Sequence, residues 1–169
     1  DKTKEPYLWF AKKIDTYSGG MLLNDFVVES YNKDEGEELK NFTLKLLNEA
    51  DIVIKDFSVE IEEHDVDSNM LMLLKNFNIT SPMLPQKQRD VKIRMTHEVT
   101  NDEGNMKNYE LNLNNESSGT QILFSFAPIL KDVFENGKIL VIDEIERSLH
   151  PSLVEMIIKF FHNPKINKG

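Results

Sequence analysis

Hydrophobic residues recur at helical intervals in two segments of the first third of the chain. In residues 4–17 the apolar positions are Tyr7, Leu8, Phe10, Ala11 and Ile14, and the positions left for solvent are Lys12, Lys13 and Asp15. In residues 35–49 the apolar positions are Leu39, Phe42, Leu46 and Leu47. Both patterns are typical of amphipathic helices. We therefore expect residues 1–50 to form a helical segment.

The period changes to two at Ile52, where apolar and polar residues begin to alternate through IVIKDFSVEIEE. This alternation predicts a half-buried strand, either long or bent into a pair. Residues 64–89 contain an acidic turn and two prolines, so we expect a mobile excursion there. Within it, residues 70–74 and Phe77 suit either a docking surface or the core, and we favour the core.

Two further alternating segments predict an antiparallel hairpin. The segments VKIRMTHEVT, residues 91–100, and MKNYELNLN, residues 106–114, both have the period of a strand. The link between them, residues 101–105, is rich in the turn formers Asn, Asp and Gly. A hairpin is the simplest structure that joins two such strands across so short a link.

The last third of the chain has the pattern of a helix, a strand and a second helix. Residues 118–134 are apolar on most helical faces, with Pro128 inside and Gly137 after them, which predicts a buried helix over about 117–134. Residues 138–144 form an aliphatic run that ends in two acids, as in a buried parallel strand flanked by helices. Pro151 begins a last helix that runs through Phe161.

Composition narrows the class of protein. The chain has 169 residues, of which 40% are hydrophobic and 29% charged, as in a globular domain with one core. A net charge of -9 argues against a surface that grips a nucleic-acid backbone. The absence of cysteine excludes disulfides and thiolate metal sites, and no apolar run reaches membrane-spanning length. We expect a soluble cytoplasmic protein, and the ends at Asp1 and Gly169 indicate a fragment.

The histidines give no sign of a zinc site. His64, His97 and His162 are scattered through acidic or strand segments and lack the i, i+4 spacing of paired metal ligands. We expect all three to be surface histidines. His150 differs, because it directly precedes the proline that begins the last helix.

The acidic pair Asp143 and Glu144 has two interpretations. Four aliphatic residues followed by two acids occur wherever a core strand reaches the surface. At the carboxyl end of a buried parallel strand, however, the first acid can hold Mg²⁺ through a water, while the second orients a water that attacks a γ-phosphate. Asp143 would then be the metal ligand and Glu144 the catalytic residue.

The segment Ser117 to Gln121 also has two interpretations. Ser and Gly before an apolar run are typical of a helix N-cap with a tight entry. The same residues can form an anion site from free N–H groups, a hydroxyl and a glycine that permits close approach. Neither the segment nor the acidic pair decides the function by itself.

Taken together, in their order along the chain, these two motifs resemble the ABC-type ATPase superfamily. A strand, a signature-like turn, an apolar helix, Gly137 and an acid-ended strand follow one another, with 25 positions between Ser118 and Asp143. The resemblance implies that Ser118 and Gly119 contact the γ-phosphate held by a second subunit, and that Thr120 and Gln121 complete this signature. Thr120 stands where transporters usually have a second glycine, so the chain looks less like a transporter subunit.

The strings ESSGTQILFSFAPIL and KILVIDEIERSLHPSLVEMIIKFF closely resemble bacterial ATP-binding proteins of the AAA or abortive-infection type. This resemblance implies an α/β P-loop NTPase fold, an ABC-ATPase-like head with a mixed sheet, flanking helices and a hairpin before the signature helix. It assigns residues 51–169 to the C-proximal part of that head. It also implies that Ser148, Leu149 and His150 lie in the D-loop between subunits, although His150 is equally suited to be a helix-entry residue.

One element of such a head is missing from the sequence. No G-x-x-x-x-G-K-[ST] motif, the Walker A phosphate loop, occurs among the seven glycines. We therefore expect flanking sequence to supply it, and we expect this chain alone not to hydrolyse ATP efficiently. The resemblance implies ATP and Mg²⁺ as cofactors, a head-to-tail homodimer, a nuclease or toxin as possible effector, and a role in phage defence by abortive infection. Two alternatives stay open, a nucleotide-regulated scaffold and a DNA-repair-type ATPase that binds nucleic acid.

Overall fold

The computed structural model describes residues 4–18, 25–33, 36–67, 72–73, 76, 87–101, 104–145 and 149–167. Its elements form an α/β structure, as predicted, but the described strands form two separate sheets, one parallel and one antiparallel, instead of the predicted mixed sheet. In chain order they are α1 (Lys4–Lys13), β1 (Ile14–Ser18), α2 (Asp25–Tyr31), α3 (Gly36–Glu49), β2 (Asp56–Asp65), β3 (Lys87–Thr100), β4 (Met106–Asn112), a 3₁₀ turn (Leu113–Asn115), α4 (Ser118–Asn136), β5 (Ile139–Asp143) and α5 (Pro151–Phe161).

The parallel sheet of the described part has two strands, β1 and β5. Their register runs from Ile14 opposite Ile139 to Ser18 opposite Asp143. The parallel strand predicted over residues 138–144 is confirmed over Ile139–Asp143, but its predicted burial is wrong. Ile139 and Val141 are each 49% exposed, because only the face that carries Leu140 and Ile142 packs on the core.

The first predicted helix is shorter than its pattern suggested. Helix α1 ends at Lys13, and Ile14 to Tyr17, which were predicted to be helical, belong to β1. The β-branched Ile14 and Thr16 favour an extended backbone, and pairing with β5 supplies their hydrogen bonds. Lys138 stabilises one end of the β1–β5 strand pair, because it forms ion pairs with Asp15 of β1 and Asp132 of α4.

The predicted apolar face of α1 is also not used within the described part of the chain. None of its residues is buried. Four consecutive apolar side chains are exposed, and at 100° per residue they point around most of the helix rather than along one stripe: Tyr7, Leu8, Trp9 and Phe10. The pattern of α1 is therefore not that of a half-buried helix.

The antiparallel sheet has the strand order β2-β3-β4. The predicted hairpin is confirmed, with Thr100 opposite Met106 at the turn. Asn101 closes this turn by accepting the N–H of Gly104 on its carbonyl at 2.9 Å and the N–H of Asn105 on its side chain at 2.7 Å. Gly104 has a φ of 80°, a backbone conformation that glycine adopts without strain.

The outer half of β2 and β3 forms a charged arm, which we define as residues 60–65 paired with residues 87–92. Acidic side chains on β2 form ion pairs with basic side chains on β3, although Glu62 stands directly opposite Asp90 in the register. Glu62 pairs with Lys92 at 2.8 Å and Glu63 with Lys87 at 2.9 Å. These partners hold the pKa of both carboxyls below the usual range. Because the arm is exposed, its ion pairs specify the strand register more than they stabilise the fold.

The core is built around α4, the longest helix. Its apolar residues pack against α3, α5 and the inner face of the antiparallel sheet, and the largest buried side chains are Phe124, Phe126 and Phe134. Helix α3 is confirmed, and it buries Leu39, Leu46 and Leu47 as predicted. Helices α4 and α5 are also confirmed, and Gly137 ends α4 in the left-handed conformation.

Pro128 interrupts α4 at a point where Tyr31 of α2 compensates. Pro128 has no N–H to offer the carbonyl of Phe124, four residues earlier. The Tyr31 hydroxyl donates to that carbonyl at 3.1 Å and lies 2.9 Å from the Thr43 hydroxyl of α3. Burial raises the pKa of the Tyr31 phenol well above its usual range, so the hydroxyl stays protonated as a donor. One side chain thus ties together three helices.

The predicted excursion at 64–89 lies mostly outside the described residues, so its mobility stays a prediction. Strand β2 reaches Asp65 and β3 begins at Lys87, which shortens the excursion at both ends. Of the methionine-rich stretch predicted to be core, Met72 and Leu73 are 67% and 56% exposed. The core assignment is wrong for these two residues, because no described element packs over them.

Candidate functional site

The acidic pair lies at the carboxyl end of β5. Asp143 is the last residue of the strand and faces Ser18, the last residue of β1, across the parallel pair. Both Asp143 and Glu144 are exposed. The carboxyl ends of parallel strands are the usual place for ligands in α/β sheets, and both carboxylates stand at such an end.

The backbone of Glu144 adopts a left-handed conformation, with a φ of 53°. Among the described residues, the only other residue that is not glycine and has a positive φ is Asp51, with a φ of 59°. Asp51 follows the end of α3 and donates its N–H to Asn48, while Ile52 donates to Leu47, each at 3.0 Å. That is the ordinary hydrogen-bonded end of a helix. Glu144 lies between the end of β5 and the helical residue Ile145, so it forms the turn that leads from the strand into helical backbone.

Residues 116–121, which we call the signature turn, lead into α4. Ser117 is the N-cap, and its hydroxyl accepts the N–H of Thr120 at 3.1 Å. The Thr120 hydroxyl lies 2.8 Å from that of Ser117 and is buried. Gln121 donates its side-chain amide to the carbonyl of Glu116 at 2.9 Å. Thr120 and Gln121 therefore hold the turn, while Ser118 is exposed at the first position of the helix.

Gly119 meets the last helix of the chain. A Cβ atom added to it would lie 3.4 Å from Leu153 of α5 and 3.8 Å from the Ser117 hydroxyl, both ordinary contacts. The fold therefore has room for alanine at this position. Glycine is also a poor residue for a helix, so neither packing nor local structure explains it.

Leu149 and His150 directly precede α5, whose Leu153 lies close to Gly119 at the start of α4. Leu149 is buried and donates its N–H to the carbonyl of Ile145 at 3.0 Å. His150 is the N-cap of α5, with its Nδ1 accepting the N–H of Ser152 at 3.4 Å. The helix-entry interpretation of His150 is thus confirmed. Ser148 lies outside the described residues.

Sequence patterns did not identify β1 as the partner of β5, the conformation of Glu144 or the contact between His97 and Glu116. His97 was expected to be a surface histidine, but its Nε2 lies 2.6 Å from Glu116 Oε1 and its side chain is mostly covered. For β1, the sequence did offer one signal, which is the alternation of the β-branched Ile14 and Thr16 with their neighbours. The other two features depend on three-dimensional contacts.

Metal chemistry at this site must rely on few protein ligands. No group of three or more His, Asp or Glu side chains in the described ranges is placed to hold a metal ion. Mg²⁺ is commonly held by one or two carboxylates together with phosphate oxygens and waters. A single exposed carboxylate at the end of a strand, as at Asp143, fits that donor set.

One comparison with known proteins decides the family. A family model described as "AAA domain, putative AbiEii toxin, Type IV TA system" matches residues 5–169. The chain belongs to this AAA domain family. Membership supports a P-loop NTPase of the AAA type with a nucleotide-binding ATPase role, and the mixed α/β structure is compatible with that fold.

Two further comparisons found no similar protein. No curated protein matches the chain, and no solved structure matches it. Across the described residues, none of the helices has the length and apolar character needed to cross a membrane.

Proposed function

We propose that this chain supplies the signature turn and the Walker B acids of an ABC-type ATPase head, which binds and hydrolyses ATP as a head-to-tail dimer. The observation that carries the proposal is the acidic pair at the end of a parallel strand, with Glu144 in a left-handed conformation. The proposal includes a phosphate loop supplied by sequence outside these 169 residues, because none of the seven glycines forms one.

The conformation of Glu144 supports a catalytic role. A left-handed backbone costs a residue with a Cβ atom about 1–2 kcal/mol. Such strain is typical of active sites, where a side chain must point in one direction. The side chain of Glu144 is exposed, directly after the carboxyl end of β5. From there its carboxylate can orient a water and accept its proton during attack on a phosphate.

Asp143 is assigned to the metal. Asp143 is the last residue of β5, and its backbone is fixed by the pairing with Ser18. Its carboxylate is exposed. It can hold a water of a Mg²⁺ hydration shell. When bound, Mg²⁺ neutralises charge on the phosphate oxygens.

Ser118 and Gly119 are assigned to a phosphate bound by the opposite subunit. Both lie in the first turn of α4, whose N–H groups have no acceptor within the helix. Ser117 caps the helix, which leaves the Ser118 hydroxyl at the surface. The room beside Gly119 is consistent with a glycine that serves close approach of a ligand instead of packing.

The segment 148–150 is assigned to the contact between subunits. Leu149 anchors it in the core and His150 begins α5, whose Leu153 lies against Gly119. A contact across the dimer at this segment would therefore reach the signature turn through α5. From its family, we also assign the protein to phage defence by abortive infection, with a toxin or nuclease as effector.

The test compares ATP hydrolysis and dimerisation of the full-length protein with and without Glu144→Gln. Without its base the variant should turn over roughly 10²–10⁴ times more slowly and accumulate as an ATP-bound dimer. Glu155→Gln makes the same chemical change on the exposed face of α5, at a pair with Lys159, and should leave turnover unchanged.

Three other outcomes have defined meanings. Equal turnover in Glu144→Gln and wild type would remove Glu144 from the mechanism. ATP-dependent dimerisation without turnover in the wild type would favour the nucleotide-regulated scaffold. Dependence of turnover on added DNA would favour the DNA-repair alternative, which the net charge of -9 disfavours for this part of the protein.

A further inference from the structure

We propose that His97 is a positioning residue for the signature turn, and that it acts through Glu116 to set how well Ser118 and Gly119 receive a nucleotide from the opposite subunit. This inference rests on the proposed function, because it assigns a control point to the same site. His97 lies on β3, and Glu116 directly precedes the N-cap of α4.

The contact between the two side chains is short and largely shielded from water. His97 Nε2 lies 2.6 Å from Glu116 Oε1. The Glu116 side chain is 9% exposed and that of His97 is 24% exposed. A hydrogen bond to a carboxylate is stronger than one between neutral groups, and partial burial strengthens it further. The carboxylate is therefore held against the sheet.

Hydrogen bonds also fix the backbone of Glu116. Its N–H donates to the carbonyl of Leu113 at 3.0 Å, and its carbonyl accepts the side-chain amide of Gln121 at 2.9 Å. Gln121 in turn donates its backbone N–H to Ser117 at 3.0 Å. A shift of Glu116 must therefore displace the cap of α4, and with it the two residues assigned to the phosphate.

The position of His97 in the sheet makes this contact the side-chain link from β3 to the signature turn. His97 stands opposite Tyr109 of β4, two residues beyond the buried Met95. Strand β3 runs without interruption from Lys87 in the charged arm to Thr100. Arg89 of that arm also pairs with Glu29 of α2 at 2.9 Å. His97 is therefore fixed in the sheet on one side and in contact with the signature turn on the other.

The experiment measures ATP-dependent dimerisation, kcat and KM of the full-length protein carrying His97→Ala. The expected result is dimerisation weakened about tenfold, with a raised KM, a nearly unchanged kcat at saturating ATP and unchanged ATP binding by a single subunit. His97→Gln keeps an N–H donor and should restore most of the loss. Glu116→Ala should match His97→Ala, and the double variant should lose no more than either one.

A control variant separates an effect on the position of the signature turn from a general loss of an imidazole near carboxylates. His64→Ala removes another imidazole that lies near carboxylates, Glu62 at 3.6 Å and Asp90 at 3.9 Å, but on the charged arm. It should leave dimerisation unchanged. Normal dimerisation by His97→Ala, or an equal loss in His64→Ala, would overturn the inference. If Glu144→Gln also behaves as wild type, the proposed function itself has failed; if Glu144→Gln loses turnover as expected, only the role of His97 is wrong.

Discussion

At the scale of single residues, Asp51 and Glu144 share an unfavourable backbone conformation for different reasons. Asp51 closes a helix, and its neighbours gain two hydrogen bonds in return. Glu144 closes a strand at the candidate site. The conformation of Asp51 is explained by the helix end. Local strain is often kept where a side chain must be aimed, and under the proposed function the strain at Glu144 serves this purpose.

Replacing each residue with glycine should separate the two cases. Glu144→Gly and Asp51→Gly should both raise the free energy of unfolding, by up to about 1 kcal/mol, because glycine adopts a positive φ without strain. Urea unfolding measures this change, and ATP turnover is measured in parallel. Only Glu144→Gly should lose turnover. A lower stability of Glu144→Gly would show that its conformation stores no strain.

Single residues also mark how far the sequence could be interpreted. Ser at the start of α4, Gly137 at its end and Pro151 at the start of α5 were predictable, because capping depends on neighbours in sequence. The contact of His97 with Glu116 was not, since the two lie 19 positions apart and meet only after β3 and β4 have paired in one register. The same holds for the φ of Glu144.

At the scale of elements, helices were predictable where one amphipathic face met the core. Helix α3 and helix α5 follow their patterns closely for this reason. Helix α1 did not, because its apolar residues cluster in sequence instead of repeating, and because Ile14 onward is drawn into β1 by a strand far away in the chain. A local pattern cannot report a distant partner.

Tyr31 gives a testable prediction at this scale, because it supplies the hydrogen bond that Pro128 withholds from α4. Tyr31→Phe should lower the free energy of unfolding by about 1–3 kcal/mol, since the buried Phe124 carbonyl loses its donor. In a Pro128→Ala background the alanine N–H can serve that carbonyl, so the same substitution should cost clearly less. Equal costs in both backgrounds, measured by urea unfolding, would contradict the compensation.

At the scale of the whole molecule, the α/β class and the elements α4 and β5 followed from the sequence, whereas the division into two sheets and the exposure of β5 did not. A parallel strand is normally covered on both faces, and the described part covers β5 on one. The aliphatic run of β5 shows only that the strand is suited to burial.

The assembly itself is tested by Ser118→Arg in the full-length protein. A long cation at the first position of α4 should block ATP-dependent dimerisation, while binding of nucleotide by a single subunit persists, because Ser118 is assigned to act across the dimer. Size-exclusion chromatography with and without ATP measures the first, and nucleotide titration the second. Ser58→Arg, on the exposed part of β2, is the control. Loss of nucleotide binding by the single subunit would contradict the trans role.

The pairing of β1 with β5 also sets the order in which the chain can fold. Ile14 pairs with Ile139, which follows it by about 125 positions in the sequence. Strands β3 and β4, in contrast, are joined by a short turn. Local hairpins close in microseconds, but a strand pair of such long range adds a large loop-closure cost and forms late. During synthesis at about 5–20 residues per second, roughly ten seconds separate the two strands. The acidic pair can therefore be aligned with β1 only after β5 has been synthesised, so a nascent chain that lacks β5 has no assembled site.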